Sequence, residues 1–157
     1  MTKLGVLQSS PKWIEKIIKK YASNKNNIAV GWPKGTSAAS LKYPDGPQVA
    51  AVATVNNYGS DSRNIPARPF MSIAAKPAMK AIKPIQAAML KKVNADLIDI
   101  EKVQVVAAPV AVNEFKKTIK TLNSPPNKPS TVKNKGSSNP LIDTGLLRQS
   151  ITYQVRN

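Results

Sequence analysis

The chain has 157 residues, enough for one domain with a real core and too few for two of ordinary size. It holds no cysteine and no histidine, which excludes a disulfide framework and thiolate metal sites and removes the commonest metal ligand and general base. Against 8 Asp and Glu stand 24 Lys and Arg, a formal net charge of +16, and a field of that size calls for an acidic partner, either nucleic acid or the acidic face of another protein.

The lysines are spread along the whole chain, so the charge belongs to a folded surface and not to a basic tail. With 5% aromatics and 13 prolines, a small core threaded with irregular segments is expected. No stretch approaches the roughly 18–20 uninterrupted apolar residues of a membrane span, and no compact apolar run marks a signal peptide. A soluble protein without a membrane partner is the expectation.

Residues 1–9 read as a flexible leader. The segment SSPKWIEKIIKKYAS (9–23) then reads as an amphipathic helix, with Ser10 as its cap and Pro11 at the first position, where no amide donor is needed. Trp13, Ile14, Ile17, Ile18 and Tyr21 share one stripe, and Lys12, Lys16, Lys19 and Lys20 form a basic face on the other. NNIAVGWP (26–33) reads as a short strand between turns, and KGTSAASLKYPDGPQ as a turn-rich, mobile segment suited to a hairpin tip. VAAVATVNNYG (49–59) fits a strand or a short buried helix, since periodicity cannot decide over so few residues.

IPARPF (65–70) is expected to be extended, each proline pushing its predecessor out of the helical region. From Phe70 to about Val93 the apolar spacing is helical, with a kink or a late start imposed by Pro77 and Pro84. A further helix is expected over about Asp96–Leu122, kinked or divided at Pro109. NSPPNKPSTVKNKGSSNP (123–140) reads as an extended, non-helical Pro/Ser/Lys-rich loop, whose length calls for a task such as gripping a neighbouring subunit. DTGLLRQSITYQVRN closes the chain as a helical turn and a strand in which Ile151, Tyr153 and Val155 share a face.

PLIDTGLL (140–147) contains the Asp-Thr-Gly of an aspartic-protease loop. That chemistry needs two such loops facing each other so that two carboxylates share a proton. Here Leu146, Leu147 and Arg148 follow the glycine where the retroviral type has a small residue, and only twelve residues remain after it. The preferred reading is structural: Asp143 or Thr144 offers an oxygen to the amides that begin the GLLRQS turn, and Gly145 permits positive φ or close approach. Arg68, between two prolines, is either part of a rigid linker or a salt-bridge donor across a subunit boundary. The lysine faces lack interleaved aromatics. No phosphate-binding loop, metal cluster, cofactor site or acid–base pair is found, and the expectation is a protein without catalytic residues.

Three blocks in order, VAAVATVNNYGS with IPARPFMSIA, and the C-terminal SPPNKPSTVKNKGSSNPLIDTGLLRQSITYQV, resemble the virion-morphogenesis proteins of tailed bacteriophages, the phage Mu protein G type with its neck and tail-completion relatives. The resemblance covers roughly residues 28–157. It departs from the family at NNYG, where relatives carry an acidic residue and Phe, so Asn57 puts in doubt a salt bridge there. It tips residues 49–59 toward helix and implies an α+β subunit: a small antiparallel sheet with an N-terminal amphipathic helix, long kinked helices and a long Pro-rich C-terminal loop. It further implies a homo-oligomeric ring, expected to be a hexamer, at the head-to-tail junction. The implied partners are phage connector, tail terminator, sheath or tube proteins, with DNA passing through the channel. In that setting Arg68 and Phe70 fix the start of the long helix, Asp143, Thr144, Gly145 and Leu147 hold the final turn, and the 123–140 loop contacts a neighbour.

Overall fold

A computed structural model describes residues 27–44 and 46–156; the expected leader and the amphipathic helix with Lys12, Lys16, Lys19 and Lys20 lie outside the described residues. The described residues form an α+β fold. Strand β1 (Asn27–Gly31) pairs antiparallel with β2 (Thr152–Arg156), so widely separated segments of sequence meet in one two-stranded sheet. The register sets Ile28 opposite Val155 and Val30 opposite Tyr153. These four side chains share one face by the period-two rule, and Val30 and Tyr153 pack on the core. Ile151 lies just before the strand and is buried.

After β1, the turn-rich segment contains a single helical turn, α1 (Ser37–Ser40), and an antiparallel bridge between Lys42 and Gln48. Helix α2 (Val49–Tyr58) resolves the ambiguous stretch. Its buried residues Val49, Ala53 and Asn57 recur every four positions, whereas a strand would have buried Ala51, which is exposed. Gly59 ends α2 at φ 80 and ψ 178, a backbone that essentially only glycine adopts. A 3-10 turn (Asp61–Arg63) and an extended run lead to α3 (Phe70–Asn94).

Helix α3 starts at Phe70 with no delay and runs through Pro77 and Pro84. Each proline removes one rung, leaving the carbonyls of Ile73 and Lys80 without their usual donors four residues on. Its partner α4 spans Glu101–Thr121 and is not divided at Pro109. It begins later than expected because residues 95–100 form the turn between the helices: the Leu97 amide donates to the Lys92 carbonyl and Asp96 sits at φ 55. Both helices bury alanines, Ala74 and Ala78 on α3 and Ala107, Ala108 and Ala111 on α4, small side chains that suit close packing of the pair.

The main core gathers Val49, Phe70, Phe115, Ile119, Leu141 and Leu147. Phe70 is fully buried and meets Trp32 edge to face, with ring centroids 6.5 Å apart at 81°. The Trp32 indole N–H donates to Ser150 Oγ at 2.8 Å, tying β1 to the C-terminal turn. A smaller cluster of Val93, Ile100 and Val103 closes the far end of the α3–α4 pair.

One expectation is overturned between residues 123 and 140. Helix α5 (Pro129–Lys135) occupies the middle of the segment read as non-helical. Its prolines flank the helix: Pro129 stands in the first turn, where a missing N–H costs nothing, and Gly136 ends it at φ 66, its amide donating to the Val132 carbonyl. The chain then passes through 141–145 into α6 (Leu146–Ser150) and β2.

Candidate functional site

Arg68 is the residue around which the site is built. The extended run 65–69 carries it inward, and it is only 3% exposed. Its Nε donates to the Pro125 carbonyl at 2.8 Å, Nη2 to the Pro126 carbonyl and to Asn127 Oδ1 at 3.3 Å each, and Nη1 to Asn56 Oδ1 at 3.4 Å. All four acceptors are neutral, and burial lowers the pKa of the guanidinium from its ordinary value. The rigid planar fork suits such a set of divergent carbonyl acceptors, which a lysine could not reach together. The hydrogen bonds that Arg68 makes among the described residues are all to its own chain, the setting of a rigid internal clamp.

The strap that Arg68 grips, residues 122–140 including α5, is closed at its other end by amides and one lysine. Asn127 Nδ2 donates to the Asn139 carbonyl at 3.4 Å, and Asn139 Nδ2 to the Lys120 carbonyl in the last turn of α4 at 2.8 Å. Lys135 Nζ donates to the carbonyls of Asn139 and Pro140 at 3.3 and 3.4 Å. The strap is thus folded back on the body of the chain, held at both feet, and not extended.

Between the strap, the 60–68 loop, the Tyr43 turn and the start of α6 lies an open cleft of about 940 Å³. Arg68, Asp143, Thr144 and Leu147, four of the residues singled out in the sequence, all line it. Phe70 does not; it is a core residue. Gly145 sits beside the cleft at φ 81, the positive value expected of it. Gly145 itself occupies the cap position of α6, and of the two expected side chains only Thr144 serves the turn, its Oγ1 accepting from the Leu146 amide at 3.3 Å. Asp143 is exposed and acts by charge. Burial pushes the Tyr43 phenol pKa up, and the Asp143 carboxylate pushes it further, against the backbone of Leu147. For Lys135, burial lowers the pKa, Asp143 opposes the shift and the Arg68 charge reinforces it.

Asn57 is buried, and its Oδ1 accepts the Met71 amide at 3.1 Å. It supplies from α2 the acceptor that Pro69 cannot offer at the start of α3. Sequence reading missed Asn56, Asn127, Lys135 and Asn139. Each lies among many asparagines or lysines, and nothing in the local pattern sets it apart. Among the described residues no cluster of three or more carboxylates could hold a metal ion, and no helix is long and apolar enough to cross a membrane. No protein-family model matches the chain, and no curated protein or solved structure matches it significantly.

Proposed function

We propose that the chain is a non-enzymatic structural protein of a tailed-bacteriophage virion, assembling in the host cytoplasm into a ring that joins the capsid connector to the tail. One relation carries the reading. The blocks on which the phage resemblance rests are far apart in sequence but adjoin in space: Arg68 of IPARPF grips Pro125, Pro126 and Asn127 of SPPNKP, and Leu147 of the DTGLL turn lines the same cleft as Val52 and Asn56 of α2. A set of motifs that encloses one feature is what a shared structural module predicts.

Ring assembly calls for heterologous contacts between neighbours. The inner side of the strap is committed to Arg68, which leaves its outer side, with exposed Lys128, Ser130, Lys133 and Asn134, to meet the next subunit. Expected partners are a second copy of the chain and the connector, terminator, sheath or tube proteins above and below it. Co-sedimentation with purified connector and tail complexes tests the reading. Retention in one of them is expected, and a chain that binds neither of these overturns it.

A further inference from the structure

Helix α3 carries five lysines and no acidic residue. Lys76, Lys80, Lys83 and Lys91 are exposed and follow one another at spacings of four, three and eight, which keeps them on one side of a helix turning about 100° per residue. Ala87 fills the gap in the row. From Lys76 to Lys91 the row is about 22 Å long. The acidic residues nearest in sequence, Asp96, Asp99 and Glu101, lie at the α3–α4 turn, beyond the end of the row.

We propose that this face of α3 is a contact surface for the phosphate backbone of duplex DNA. A single-sign row along one helix face matches a polymer that presents about one negative charge per 1.7 Å of axis. Lysine is depleted from the centres of protein–protein interfaces and abundant at phosphate contacts, which favours nucleic acid over an acidic protein. The only aromatic residue of α3 is Phe70, which is fully buried. The face therefore offers no stacking platform, and duplex is favoured over single strand. The neck reading enters only in naming the biological source of the DNA. The contact itself is a property of the isolated chain.

The test compares two variants of equal charge. Lys76→Ala/Lys80→Ala/Lys83→Ala removes three cations from α3, and Lys34→Ala/Lys42→Ala/Arg63→Ala removes three exposed cations elsewhere. Alanine is the best helix former, so the α3 variant keeps its fold, which thermal melting by circular dichroism verifies. Binding to labelled duplex, to single strand and to polyglutamate is followed by anisotropy over a series of salt concentrations. The α3 variant is expected to bind duplex at least about tenfold more weakly, with the slope of log affinity against log salt reduced by about 2–3; the control variant changes neither by as much. Equal losses in both variants, no duplex binding by the parent chain, or tighter binding of polyglutamate or single strand than of duplex each overturn the proposal. The mass of the same proteins in solution reports ring formation separately, so either idea can fail alone.

Discussion

Arg68 Nε donates to the carbonyl oxygen of Pro125 across 2.8 Å of space and 57 residues of chain. This bond and its neighbours from Nη1 and Nη2 hold the 122–140 strap against the body of the chain. Lysine at position 68 keeps the charge but not the fork. Arg68→Lys is expected to lower stability by about 1–3 kcal/mol in urea unfolding. It should also speed tryptic cleavage after Lys133 and Lys135. Unchanged unfolding and an unchanged digest would mean that the strap is held by something else.

Asn57 has a comparable role at the start of α3. Asn57→Ala removes the acceptor of the Met71 amide and is expected to cost about 0.5–2 kcal/mol, the range for loss of a helix cap. Asn57→Asp keeps an acceptor and places a negative charge at the positive end of the helix, so it should cost less than Ala. Thermal unfolding of the pair checks the order, and an Asp variant weaker than the Ala variant would contradict the capping role.

Gly59 tests the close packing of the loop under Arg68. A Cβ there would stand 2.8 Å from the Ala67 amide nitrogen and 3.0 Å from the Ile65 carbonyl oxygen, both backbone atoms that cannot swing away. Gly59→Ala is expected to lose more than the about 1–3 kcal/mol of backbone strain alone. Gly35 has a similar positive φ with nothing within 4 Å, so Gly35→Ala isolates the strain component. Equal losses at the two positions would show that the loop gives way.

The pH dependence centres on Tyr43. Its folded pKa lies above the ordinary 10.0, so the fold holds the phenolic proton more tightly than the unfolded chain does. The stability linked to it is whole below the ordinary value and is lost as pH rises through the folded one. In an ultraviolet titration, a late-ionising phenol should be seen and should disappear in Tyr43→Phe. Asp143→Asn should bring it only part of the way back, because burial is the larger cause. Loss of a normally titrating phenol in Tyr43→Phe would contradict this environment.

The long helices were legible because their apolar residues recur at helical spacing over more than five turns, enough to outweigh Pro77, Pro84 and Pro109. The start of α4 was not, since the left-handed backbone at Asp96 that forms the turn leaves no mark on the hydrophobic pattern. Helix α5 was hidden by a proline count taken over eighteen residues, when none of the four prolines falls inside Ser130–Lys135. Of the cleft, Arg68, Asp143, Thr144 and Leu147 stood out by local motif. Their meeting with Tyr43, Asn127 and Lys135 depends on tertiary contacts that no sequence spacing encodes. For Arg68, flanking prolines announce a rigid backbone but do not say which acceptors the guanidinium finds, here the carbonyls of Pro125 and Pro126.

If the chain works as part of a ring, as proposed, its mass in solution shows it without a partner protein. Light scattering after size exclusion, at low and moderate salt, is expected to show a closed oligomer of defined size, with six subunits the proposed number. A protein that stays monomeric at every concentration, and does not assemble when connector or tail complexes are added, would contradict the account.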